Sequence, residues 1–89
     1  MNKSIVFQGR GWEDYLIWQT LDKKKLAKIN QLILDIGRNG DSGLGKPEAL
    51  SGNLAGFWSR RIDDTNRLVY RILETTIEII QCKGHYDYK

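Results

Sequence analysis

The hydrophobic period of this chain changes once, and that change limits the folds open to it. From Asp22 to Arg38 the apolar residues Leu26, Ile29, Ile33 and Ile36 recur at steps of three and four, with Leu32 widening the stripe. That is the face of an amphipathic helix. After Gly56 the period falls to two. Leu68, Tyr70 and Ile72 alternate along one segment, and Ile77 and Ile79 along the next. Alternation of this kind marks strands with one buried face.

Ahead of the helical stripe, Ser4 to Gln8 reads as a short strand. Gly11 to Trp18 opens a first helix, with Trp12, Tyr15 and Leu16 on one face and the acidic Glu13 and Asp14 expected in its first turn. Asp22 is placed to cap the second helix, and Gly37 and Gly40 to end it. Residues 39–47 form a loop, and Glu48-Ala49-Leu50 suits a short helical turn. Strands are expected over Phe57–Ile62, Arg67–Leu73 and Thr76–Cys82, the first two joined by the turn Asp63-Asp64-Thr65-Asn66. The predicted class is α+β: a helix hairpin packed on a small antiparallel sheet, in the order β-α-α-β-β-β, as one domain over residues 1–89.

With 89 residues, larger architectures are excluded. No apolar run is long enough to span a membrane. The single cysteine cannot close an internal disulfide. The expected location is therefore the cytoplasm. Fourteen basic residues against 11 acidic give a net charge of +3, and the second helix with its cap, five basic and two acidic residues, accounts for all of that excess. This balance permits an anionic partner without requiring one.

Two motifs are decoys. Gly40 to Lys46 has the spacing of a phosphate-binding loop, but it follows a helix rather than a strand. Pro47 also stands where Ser or Thr would hold magnesium. Cys82 and His85 have the spacing of half a zinc site, with no second pair to complete it. Cys82 is expected in the core, and no metal or cofactor is expected. Trp12 and Trp18 suit packing or a partner surface. Trp58, beside Arg60 and Arg61, could stack on a base or pack.

A dispersed set remains: Glu48, Arg61, Arg67, His85 and Tyr86. Singly, each has an ordinary explanation, such as a carboxylate at a helix start, solvated strand arginines or an exposed terminal histidine. Together they supply an acid–base pair, fixed cations and a hydroxyl. Metal-free RNA cleavage needs those groups, and histidine suits proton transfer near neutral pH.

The runs Gly45-Lys46-Pro47-Glu48, Asn53-Leu54-Ala55-Gly56-Phe57-Trp58-Ser59-Arg60-Arg61-Ile62, Asn66-Arg67-Leu68-Val69-Tyr70 and Gly84-His85-Tyr86 resemble the YoeB (Txe) toxins of the RelE superfamily. Trp12-Glu13-Asp14-Tyr15 and Trp18-Gln19 fit the same family. The resemblance implies a microbial-ribonuclease-like fold and a ribosome-dependent endoribonuclease that cuts mRNA in the A site. It implies a YefM-like antitoxin and a homodimer. It also implies Glu48 as general base, His85 as general acid, Arg61 and Arg67 on the phosphate, and Tyr86 as a positioning group. Arg60, Lys46 and Trp58 complete the expected substrate contacts. Members of the family can carry lysine at the position of Ser51, and Lys46 or Arg60 would compensate. Asp87-Tyr88-Lys89 extends past the His-Tyr pair and makes Tyr88 a rival to Tyr86. A relative that poisons gyrase, ParE-like, or that blocks the ribosome without cutting RNA, is the alternative.

Overall fold

Asp22 sets the shape of the amino-terminal half. In the computed structural model, which describes residues 2–85, it separates helix α1 (Gly9–Leu21) from helix α2 (Lys23–Asn39). Its Oδ1 accepts from the Lys24 and Lys25 amides at 3.0 and 3.2 Å, and its own amide donates to Trp18 O. One side chain thus satisfies amides that the first turn of α2 leaves without partners. A single linking residue makes the helices fold back on each other. Tyr15 Oη donates to Asn30 Oδ1 at 2.8 Å, joining positions about equally far from Asp22.

Helix α1 begins earlier than its pattern predicts, so Glu13 and Asp14 lie beyond its first turn. The helix dipole does not account for Asp14. It is buried and accepts from the Cys82 amide at 3.0 Å. Close packing there depends on Gly11, where a Cβ would fall 2.4 Å from Ile79 O.

Five strands, β1 (Ser4–Phe7), β2 (Glu48–Ala49), β3 (Trp58–Arg61), β4 (Arg67–Ile72) and β5 (Thr76–Gln81), form one sheet in the order β1-β5-β4-β3-β2. The meander β3-β4-β5 is antiparallel, as the alternation predicts. The sheet as a whole is mixed, because β1 pairs parallel to β5. Both helices lie in the crossover that a parallel pair requires. Glu48 and Ala49 form no helical turn. They pair with Ser59 and Trp58, and the nearby 3₁₀ turn falls at Gly52–Leu54. No helix among the described residues is long and apolar enough to cross a membrane.

The inner face of the sheet packs Leu68, Tyr70, Ile77 and Ile79 against Trp18, Ile29, Leu32, Ile33 and Ile36 of the helices. Cys82 joins this cluster, and its carbonyl accepts from Trp18 Nε1 at 2.7 Å. Just before it the β4–β5 register slips: Tyr70 faces Ile79, but Val69 faces Gln81, leaving Ile80 as the extra residue. This β-bulge reverses the parity of β5. Gln81 turns to the outer face, and Cys82 returns inward. Leu54 and Val69 are buried outside the main cluster, and strand parity puts Val69 on the outer face.

Candidate functional site

Strand parity gathers charge on that outer face. Arg61 on β3 stands opposite Arg67 on β4, and Ser59 stands opposite Glu48 on β2. Directly opposed residues share a face, and so do alternate residues of one strand. Glu48, Ser59, Arg61 and Arg67 therefore lie on one side of the sheet, away from the helices. Glu48 and Arg61 are exposed, whereas Arg67 is 8 % exposed.

The chain's last described residues join this set. The Arg67 amide donates to Gly84 O at 3.0 Å, and the Gly84 amide donates to Asn66 Oδ1 at 2.7 Å. Gly84 has φ +80°, a left-handed turn suited to glycine. These contacts bring His85, which is exposed, alongside the start of β4. Tyr86, and with it Asp87, Tyr88 and Lys89, lies outside the described residues.

The β3–β4 turn fixes Arg67. Asp63 Oδ1 accepts from the amides of Thr65 and Asn66 at 2.8 and 2.7 Å, and Lys25 Nζ sits 3.1 Å from Oδ2. Burial works against ionisation of Asp63. The bonds from the Asn66 side chain, the two amides and Lys25 outweigh it and hold the carboxyl far below its usual range. Arg67 Nη1 donates to Asp63 O and Asn66 O at 2.7 and 3.2 Å. Its guanidinium is thereby preset by the turn that precedes it.

Lys46 is exposed in the loop ahead of β2. The Arg61 amide donates to Gly45 O at 2.7 Å, which sets Lys46 next to Arg61. Gly45 is required there, since at φ +80° a Cβ would lie 2.8 Å from Leu32 Cδ2 and 3.1 Å from Arg61 O.

Two expected substrate residues face the other way. Arg60 is 0 % exposed on the inner face and cannot reach a ligand. Its Nε donates to Tyr70 Oη, Nη1 to Asp35 and Leu44 O, and Nη2 to Gly40 O and Ser42 O. All five guanidinium donors are used. The hydrogen bond from Arg60 holds the Asp35 carboxyl below its ordinary range. The glycine-rich loop thus wraps a cation with carbonyls, the reverse of a phosphate loop, which offers amides to an anion. Trp58 pairs with Tyr70 and packs half-buried against the core, on the face opposite Arg61. Cys82 is equally inward. Burial, and then Asp14, pushes its thiol up to about 12, which leaves it unreactive near neutral pH.

The outer face therefore combines a carboxylate and two guanidiniums drawn from β2, β3 and β4, with the backbone of His85 beside the start of β4. It can accept a proton, return one and stabilise an anion. Gln81 escaped the sequence reading because period-two alternation assigns it to the same side as Ile77 and Ile79. The apolar hollow lined by Ile5, Phe7, Tyr15, Asn30, Ile33 and Leu34 contains none of these charged groups.

The chain is similar to known proteins over nearly its whole length. Residues 7–86 match the profile of the YoeB-like toxin of bacterial type II toxin–antitoxin systems. The toxin YoeB of Streptomyces coelicolor is 51% identical over 82 residues, which are 92% of this chain and 98% of that protein. The YoeB dimer from Staphylococcus aureus superposes with a TM-score of 0.91 at 46% identity, over 97% of this chain and 100% of that one. The YoeB–YefM complex from the same organism gives 0.88 at 45% identity, with the same coverage.

Proposed function

Because the chain belongs to the YoeB-like toxin family of bacterial type II toxin–antitoxin systems, we propose that it is a ribosome-dependent endoribonuclease that cuts mRNA in the A site. The observation that supports this reading is that Glu48, Arg61 and Arg67 share one sheet face, with the His85 backbone tied beside the start of β4. Glu48 removes the proton of a ribose 2′-hydroxyl. The 2′-oxygen bonds to phosphorus as the bond to the 5′-oxygen breaks, and His85 gives its proton to that leaving oxygen. Arg67 and Arg61 stabilise the charge that builds on the non-bridging oxygens. Lys46 holds the flanking backbone, and Tyr86 positions the nucleotide. The products are a 2′,3′-cyclic phosphate, open to later hydrolysis to a 3′-phosphate, and a 5′-hydroxyl.

The family also supports a partner. We infer that a YefM-like antitoxin silences the toxin in the cytoplasm, its acidic disordered segment folding over the basic outer face. The toxin itself pairs as a homodimer. Primer extension on mRNA from ribosomes stalled by the expressed protein tests the activity. New ends at A-site codons are expected. Stalling without new ends would instead mean a ribosome-blocking relative, and harmless expression in the absence of antitoxin would remove the toxin reading.

A further inference from the structure

Gln81 is a fully buried polar side chain that the mechanism above does not use. Its Nε2 donates to the carbonyls of Lys83, Gly84 and His85 at 3.2, 3.3 and 3.1 Å. These are three successive carbonyls of the segment that carries the proposed general acid. They converge on one amide because Gly84 turns left-handed between its neighbours. The amide's orientation is fixed, since reversing it would set its oxygen against three carbonyl oxygens. Held this way, Oε1 is buried with no hydrogen-bond partner among the described residues. An orphaned buried acceptor is unfavourable and calls for a compensating role. Only the bulge at Val69/Tyr70 brings Gln81 to the outer face at all. Bulges recur where a strand must re-aim a side chain near a site.

We propose that Gln81 is a positioning residue for His85. Its amide gathers the three carbonyls and fixes the His85 backbone beside the start of β4. Asn66 completes the tether through Gly84 N. The inference rests on the proposed acid role of His85. Its functional consequence is specific: a loosened segment should slow the chemical step and leave mRNA and ribosome binding intact.

The test is Gln81→Met, which keeps the side-chain length and removes the donor. Two quantities are read on the full chain: cleavage of ribosome-bound mRNA, resolved into kcat and KM, and hydrogen exchange of individual amides. The expected result is a kcat about 10- to 100-fold lower with KM unchanged, the size of loss that a small misplacement causes. Exchange at Gly84 should accelerate while the amides of Ile29 and Leu68 keep their protection. The single histidine gives one imidazole NMR signal, which should broaden or shift in the same variant. Unchanged Gly84 exchange, or faster exchange with kcat intact, would overturn the proposal. If the wild-type protein itself fails to cleave, the endoribonuclease reading falls and a catalytic role for Gln81 falls with it. The exchange data then still report whether Gln81 tethers the segment. Should Gln81→Met not fold, Gln81→Thr replaces it with the same criteria.

Discussion

Arg60 and Arg61 are neighbours on β3 with opposite surroundings. Arg60 faces the helices, fully buried, with every donor matched to an acceptor from Asp35, Tyr70 or the 40–44 loop. Arg61 faces outward, exposed, across from Arg67. The inner face commits its cation to joining α2, the loop and the sheet. The outer face leaves Arg61 open to solvent and holds Arg67 against the turn before it. Residue type alone does not separate these roles, but strand parity does.

The largest effect that tests this contrast is on stability. Arg60→Met would leave several buried acceptors unpaired and should destabilise the fold by about 3–5 kcal/mol. That is much of the total for a small domain. Urea unfolding measures it, and a variant of native stability that had lost only activity would erase the distinction between the faces.

On the outer face the same chemistry should be felt as rate. Arg67→Ala should slow cleavage by about 10²- to 10³-fold, as removal of a preset oxyanion donor does. It should also cost about 1 kcal/mol of stability through the lost turn contacts. Single-turnover kinetics and thermal melts separate the two. Glu48→Ala and His85→Ala should each slow cleavage by about 10²-fold and leave the melting temperature unmoved, because both side chains are exposed. Full activity in Glu48→Ala would transfer the base role to another group.

The smallest expected effect lies in the turn between the faces. Asp63 titrates well below its ordinary value in the folded chain, so its contribution is complete above the unfolded pKa and fades as pH falls below it. The stability advantage of wild type over Asp63→Asn should therefore begin to shrink below about pH 5 and keep shrinking as the pH falls further. Chemical unfolding across that range gives the answer. A difference independent of pH would mean that charge does not matter at this turn.

Most of the framework was legible in the sequence, because it rests on local patterns. The cap at Asp22, the stripe of α2 and the meander after Gly56 each follow from spacing within a few residues. Features that depend on distant partners were not legible. Two-residue β2 exists only because Glu48 and Ala49 meet β3, and β1 becomes a parallel strand only through β5. The bulge that turns Gln81 outward has no signature in the run Ile79-Ile80-Gln81-Cys82. The resemblance points to Glu48, Arg61, Arg67 and His85; strand parity puts the first three on the outer face, the His85 backbone lies beside the start of β4, and Tyr86 lies outside the described residues. The inward turn of Arg60 was readable in principle. Period two puts Arg60 on the same side as Trp58, an aromatic residue that marks the inner face. Attention to charge hid that parity.

The claim that the outer face performs metal-independent acid–base cleavage is tested most directly by changing a single atom of the substrate. Ribosome-bound mRNA with a 2′-deoxy nucleotide at the scissile position lacks the nucleophile that Glu48 would activate. Single-turnover assays should show the all-ribose message cut to a 5′-hydroxyl and a cyclic phosphate, and the deoxy message intact. Cleavage of the deoxy message at a comparable rate would contradict the account.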